Sequence, residues 1–404
     1  MYNLDEEKVF RDPIAGYVRV NNEIVWRCIE SREFQRLKRI KQLGSTFMVY
    51  HTGEHSRFSH SLGVYEIIRR MVNEVKDLNN GLSDYDKTIV MLAGLLHDIG
   101  HAPFSHSFES ILNKKHEDYT ISIITEKSEV NDILNSYSSS LSTDIASIIK
   151  GTYHNSILCQ LVSSQLDADR MDYLLRDSYF TGTKYGEFDL ERILRTLRVA
   201  DGKVVIKSSG MHTIEDYIMA RYHMYWQVYY HPVSRSYDVL LEKLFLRLKD
   251  LYIENSDKIV QQYPMFKDLL ENETLTNDQM YHLDDSCCHY GFQLMCQNDD
   301  KILADLAYRV LNRRLFKYCS IDKKDQIYNM VVEHGFNPKY YFSQDIQIQN
   351  PYKPYSNEIS SIWVLKDDGE IVELSKESRI VSSICQNNQY KDEKVFFPKE
   401  VIND

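Results

Sequence analysis

Apolar positions along most of this 404-residue chain recur at helical spacing. In EFQRLKRIKQL, residues 33–43, Phe34, Leu37 and Ile40 fall on one face. The same period predicts helices over 61–75, 86–97, 157–178, 214–230, 237–253 and 300–313. Glycine (15) and proline (8) are scarce, and scarcest in those segments. Alternation of apolar and polar residues predicts a hairpin over 17–26 around Asn21-Asn22 and a second over 361–374 around Asp368-Gly369. A short strand over 204–206 follows the Asp201-Gly202 turn, and the serine-rich stretch 136–142 reads as a surface loop. The expected architecture is mostly α: a large helical domain over residues 1–255, then an α+β region over 256–404 that packs on it and serves assembly.

Composition narrows the function classes. At 43% hydrophobic the chain can build a sizeable core. The net charge of −11, without a long Lys/Arg run, argues against nucleic acid as the main partner. Mean hydropathy is −0.44 and no apolar run approaches the roughly 20 residues of a bilayer span, so no membrane role is expected. The acidic start lacks the apolar core of a signal peptide, and the expected compartment is the cytoplasm. Seven scattered cysteines suit a reducing compartment better than a disulfide framework. Cys287-Cys288-His289 is a poor chelate and reads as structural.

The histidines carry the chemical signal. Seven of fourteen lie between His51 and His116. Leu95-Leu96-His97-Asp98-Ile99-Gly100-His101 ends an apolar helix in an imidazole and a carboxylate, a mixed set that borderline divalent ions accept. His60 upstream, and Asp167 or Asp169 downstream, complete four ligands and leave positions for water and substrate. Any one of these histidines alone reads equally well as a satisfied core residue; the ordered set does not. His101, His106, His116 and Glu117 form a second layer suited to general acid work. If the helix continues past His97, His97 and His101 share a face. Arg170, Tyr173 and Asp177 stand at i, i+3 and i+7, on one face of a helix.

These residues resemble a family. The ordered H…HD…D set, together with KVFRDPIAG (8–16), FQRLKRIKQLG (34–44), RFSHSLGV (57–64), His97-Asp98-Ile99-Gly100-His101, Pro103-Phe104-Ser105-His106, His116-Glu117 and DADRMDY (167–173), is similar to the HD-domain deoxynucleoside triphosphate triphosphohydrolases, bacterial and mammalian. The likeness covers residues 8–240. It implies the HD-domain helical fold, with small β-hairpins, and hydrolysis of dNTPs at the α-phosphorus to nucleoside and triphosphate. It implies a divalent metal (Mn, Fe, Zn or Ni) on His60, His97, Asp98 and Asp169, with Mg on the substrate phosphates. His101, His106, His116 and Glu117 would be catalytic, with His106 the acid. Gln42, Leu43, Arg57, Arg170, Tyr173, Asp177, Arg221 and Tyr229 would bind substrate. Arg170 stands where the family more often has Lys. Val9, Arg11, Glu30, Gln35 and Lys38 fall where relatives bind a regulatory nucleotide, and a homodimer or homotetramer is implied. Arg11 and Glu30 depart from the best-known relative there, so a guanine-specific activator is not implied. Two other readings share these motifs: an HD nucleotidase or phosphodiesterase acting on a signalling nucleotide, and a nucleotide sensor without catalysis.

Overall fold

The computed structural model describes residues 3–105, 108, 111–112, 114–349, 352, 361–386 and 390–402. Helices dominate, with three small sheets. The predicted helices are present, with altered ends. The segment 33–43 breaks into a helix Arg32–Arg36 and a 3-10 turn Leu37–Arg39. Ile40 then turns extended, and residues 40–42 run alongside 55–57: Arg57 N–H donates to the Ile40 carbonyl and Gln42 N–H to that of His55, both at 2.9 Å. The stretch 157–178 is two helices, Ser156–Val162 and Ala168–Thr181, because Asp167 caps the second. The helix predicted over 214–230 is α-helical for Met211–Met224 and continues as a π-helical turn, Tyr225–Tyr229. Within the serine-rich stretch predicted as a loop, only the neighbourhood of residues 138–140 is a connection, between helices Glu129–Tyr137 and Leu141–Ile149.

The N-terminal hairpin is displaced from its expected place. Strand Gly16–Asn22 pairs backwards with Asn3–Asp12, not forwards across Asn21-Asn22. Asn22 is instead the cap of helix Glu23–Glu30, accepting from Ile24 N–H at 2.9 Å. An Asn pair signals a turn and a helix start alike, and the amphipathic run after it favours the helix. The real turn follows Asp12, whose Oδ1 accepts from Ile14 and Ala15 N–H, both at 2.9 Å. The second hairpin forms as predicted, Trp363–Leu365 with Ile371–Glu373. It joins strand Lys203–Lys207 in parallel and so ties the C-terminal region to the helical part.

Two apolar cores result. One lies among the helices Glu23–Glu30, Arg57–Glu74, Asp84–Leu96 and Ala168–Thr181. The other gathers Phe104, Phe108 and Tyr119 with Tyr237–Leu248 and with the C-terminal helices and three-stranded sheet. The polypeptide around His97–Ser105 runs between them. Among the described residues, no helix is long and apolar enough to cross a membrane. The seven cysteines are free.

Candidate metal centre

His60 sits one turn into helix Arg57–Glu74, and His97-Asp98 follows helix Asp84–Leu96 directly. That helix ends before His97, so His97 and His101 do not share a helical face. A turn brings His101 round, its N–H donating to the Asp98 carbonyl at 3.2 Å. Gly100 permits the turn: a Cβ there would lie 2.2 Å from Thr120 N and 2.5 Å from the His116 carbonyl. Asp169 enters from the first turn of helix Ala168–Thr181.

His60 Nε2 lies 3.1 Å from Asp169 Oδ1 and 3.7 Å from Asp98 Oδ2. His97 Nε2 lies 3.6 Å from Asp169 Oδ1 and 3.4 Å from Asp98 Oδ1. Ligand atoms held about 2.1 Å from a shared ion stand roughly 3–3.5 Å apart; His60, His97 and Asp169 come close enough together to share one, and Asp98 stands 3.4 and 3.7 Å from the same two imidazole nitrogens. Both Nε2 atoms are buried and neither makes a hydrogen bond of acceptable geometry. Their rings are fixed from behind: His60 Nδ1 is 2.9 Å from Asp172 Oδ2, and His97 Nδ1 donates to the Gly94 carbonyl at 2.8 Å. That leaves each Nε2 lone pair facing the two carboxylates, as a metal ligand requires. The donor set fits a borderline divalent cation.

Without metal, the cluster keeps its charge balance by protonation. Burial alone would lower the His60 pKa, but Asp169 and Asp172 overcome it and raise it to about 10. Burial is likewise outweighed at His97, which Asp98 and Asp169 raise. Asp98, buried too, is held well below the usual carboxylate range by His97, His101 and Arg57. Burial and then Arg57 hold His101 well below its ordinary value.

Asp172 and Arg176 form the backing of this centre. Arg176 Nε donates to Asp172 Oδ2 at 2.8 Å and its Nη1 to Asp12 Oδ2 at 2.7 Å. Asp12 of the DPI segment therefore steadies His60 through two intermediaries. Gly63 leaves room for this network, since a Cβ would fall 1.9 Å from Asp172 Oδ1. Asp167 is not in the cluster. It accepts from Arg170 N–H and Ser164 N–H, both at 2.7 Å, and pairs with the Arg170 guanidinium.

A second group joins Asp98 to His101 and His116. His101 Nε2 is 3.3 Å from Asp98 Oδ1, and its ring stacks on His116 with centroids 3.8 Å apart. Glu117, largely exposed, has Oε2 3.5 Å from His116 Nδ1. His106 lies outside the described residues.

A cavity of about 480 Å³ opens beside the cluster, with Gln42, Leu43, Arg57, Tyr173, Asp177 and Tyr229 on its wall. The extended pairing of 40–42 with 55–57 sets Gln42 opposite His55 and Arg57 opposite Ile40, and both Gln42 and Arg57 reach the cavity wall. Arg57 reaches Asp98 and also donates to Ser105 Oγ at 2.8 Å. Tyr173 and Asp177 face the cavity from one side of their helix, but Arg170 turns to Asp167. Arg221 is buried near Tyr225 with Nε and Nη1 unpaired, and does not line the cavity. Sequence reasoning missed His55, whose Nε2 is 2.8 Å from Asp177 Oδ1, while Tyr229 donates to Asp177 Oδ2 at 2.8 Å. Its membership of the histidine cluster was the available signal. Gln347 and Asp238 also line the cavity, and nothing in the sequence marked them.

The remaining predicted residues divide. Glu30, Gln35 and Lys38 line a separate cavity of about 440 Å³ with Phe10, Trp26 and Phe58. Val9 and Arg11 do not, because strand alternation turns them to the face opposite Phe10. Arg11 instead stands over the Tyr17 ring at 5.6 Å.

Residues 57–177 match the HD domain and residues 188–265 the HD associated region. The chain is 45% identical to the uncharacterized protein YwfO of Bacillus subtilis, over 99% of this chain and 94% of that protein. It is 30% identical to the deoxynucleoside triphosphate triphosphohydrolase SAMHD1 homolog of Dictyostelium discoideum, over 62% of this chain and 51% of that protein. A phosphohydrolase from Bacteroides thetaiotaomicron superimposes with a TM-score of 0.84 at 29% identity, covering 98% of this chain and 100% of that one.

Proposed function

The chain belongs to the HD-domain phosphohydrolases, and on that footing we propose that it hydrolyses deoxynucleoside triphosphates to deoxynucleoside and inorganic triphosphate. The observation that carries the proposal is one of contiguity. Arg57 touches the metal-ligand cluster and lines a cavity of about 480 Å³, within the range of small-molecule sites.

His60, His97, Asp98 and Asp169 would hold a divalent ion, which supplies Lewis-acid polarisation and a nucleophile at neutral pH. Arg57 keeps an unpaired Nε for a phosphate oxygen, and Arg221 keeps two unpaired nitrogens that a small side-chain movement brings to the phosphate chain. Magnesium on the phosphates would offset further charge. His101 stays neutral at neutral pH, so the proton for the departing 5′-oxygen is assigned to His116 or to His106. Glu117 orients His116. Gln42 Oε1, buried and unpaired, accepts a sugar hydroxyl, and Asp177 holds Tyr229 against the sugar. Leu43 and Tyr173 crowd C2′, while Tyr225 and Tyr230 offer faces to the base. Glu30, Gln35 and Lys38, with Val9 and Arg11 nearby, are proposed as a regulatory nucleotide site in a cytoplasmic homo-oligomer.

One observation favours a second reading. Arg170 is committed to Asp167, which leaves fewer cations for a triphosphate and suits an HD nucleotidase or phosphodiesterase. Product analysis separates them. Each dNTP, GTP and a mixture of all four dNTPs are incubated with the protein and Mn or Mg, and products are resolved by ion exchange. Nucleoside plus triphosphate is expected. Monophosphate plus pyrophosphate, or a diphosphate, would overturn the proposal.

A further inference from the structure

The turn that follows His101 is held from outside the HD segment. Phe104 and Ser105 both take left-handed backbone conformations, φ 53° and 54°. Two such non-glycine residues in succession cost energy and persist only under external constraint. Ser105 Oγ is the group that receives Arg57 Nη2 at 2.8 Å, and Arg57 in turn contacts the ligand Asp98. The conformation of this turn therefore sets the position of Arg57.

The constraint comes from Leu283 and Asp285, at the start of helix Asp285–Met295. Asp285 is buried, and its two oxygens serve two loops: Oδ1 accepts from Phe104 N–H at 3.3 Å and Oδ2 from Lys41 N–H at 2.9 Å. The first loop carries Ser105; the second carries Gln42 and Leu43. Arg36 also joins the Leu283–Asp285 segment to the HD turn. It is fully buried, donates to the Leu283 carbonyl from Nε at 3.1 Å and Nη2 at 2.6 Å, and donates from Nη1 to the His101 carbonyl at 2.8 Å. Gly44 packs against the same turn, where a Cβ would lie 2.9 Å from the Phe104 carbonyl. The loop thus has no room to relax toward residue 44.

We infer that Asp285 is a positioning residue: it clamps the Phe104–Ser105 turn to the Lys41–Leu43 loop and so fixes Arg57 over the metal-ligand cluster. Arg36 fixes His101 against the same segment. Residues beyond 255 on this view hold the site in its working geometry. The inference rests on the phosphohydrolase reading of the cluster, because it assigns Arg57 a task there. A carboxylate suits position 285 because each of its oxygens faces a different N–H group; Asn would keep one acceptor and turn its own NH₂ against the other N–H.

The test uses the full chain carrying Asp285→Asn or Asp285→Ala, loaded with Mn. Metal content, thermal midpoint, dNTP turnover and amide hydrogen exchange of residues 98–105 are measured well below the unfolding midpoint. Metal stoichiometry is expected to stay near wild type, KM to rise severalfold because the loop carrying Gln42 and Leu43 loosens, and kcat to fall by more than KM rises, about a hundredfold in Asp285→Ala and less in Asp285→Asn. Exchange at Phe104 should quicken in both. An unchanged kcat, or a fall matching only the unfolded fraction, overturns the inference, as does unchanged exchange. If the wild-type chain hydrolyses no dNTP, the functional proposal fails and the exchange measurement alone decides the clamp.

Discussion

Two cavities among the described residues, of about 480 and 440 Å³, have similar mixtures of aromatic and charged residues, yet the polar atoms in and around them differ in how they are satisfied. In the N-terminal one, Lys38 donates to Gln35 at 2.7 Å and lies over the Phe58 ring, and Gln35 donates to the Ile29 carbonyl at 2.7 Å. Beside the HD turn, His60 Nε2, His97 Nε2, Gln42 Oε1 and Arg57 Nε are buried without hydrogen bonds. Each such atom costs about 1–3 kcal/mol when left unsatisfied. A chain that retains several in one place is built for a ligand that satisfies them. The N-terminal cavity carries no such debt, so any nucleotide there would compete with bonds already made.

The contrast yields an ordered set of experiments. His97→Ala or Asp169→Ala removes a ligand from the cluster; loss of bound metal and a fall in turnover of at least about a thousandfold are expected, read by elemental analysis and product assay. Retained metal in both would break the comparison at its root. Next comes the backing network. Arg176→Met leaves Asp172 and Asp12 buried without their cation, and metal affinity is expected to weaken about 10- to 100-fold, measured by competition with a chelator.

The pH dependence follows from His60. Its metal-free pKa of about 10 means that the ring is protonated at neutral pH and that metal uptake expels this proton. Affinity should therefore rise about tenfold per pH unit up to that value, and calorimetry in buffers of different ionisation enthalpy should register the release. The sign for metal-free stability is opposite. The raised pKa stabilises the fold fully below the ordinary value of 6.5, and the gain is lost as pH climbs through about 10.

Smaller effects sharpen the comparison. Tyr229→Phe removes one hydrogen bond to Asp177, and a rise of about fivefold in KM is expected from roughly 1 kcal/mol. Lys38→Ala, on the satisfied side, should lower stability by no more than about 1 kcal/mol in urea unfolding, since its partners are an exposed amide contact and an aromatic face.

Much of this was legible in the residues themselves. Helical periodicity gave part of the helices of both cores but not Glu23–Glu30, His116–Thr125, Asp285–Met295 or Lys324–Glu333, and the spacing of His60, His97, Asp98 and the later aspartates named a metal set. Local chemistry also misled where one signal serves two structures: Asn21-Asn22 read as a turn, yet Asn22 caps a helix. The continuity of 157–178 hid the break that Asp167 makes. His97 and His101 looked like neighbours on a helix that in fact ends at Leu96.

The sequence by itself determined which residue types could bind a cation, because imidazole and carboxylate chemistry is carried by the side chain wherever it lies. Spacing left Asp167 and Asp169 open and the family resemblance implied Asp169; the tertiary structure supplies the physical reason, since capping consumes the first and leaves the second open. Only it sent Arg170 to Asp167, brought His55 to Asp177 and set Asp285 against Phe104. These contacts join residues from three to 181 positions apart, and their physical basis is the need to pair buried polar groups, a need that spacing along the chain does not reveal.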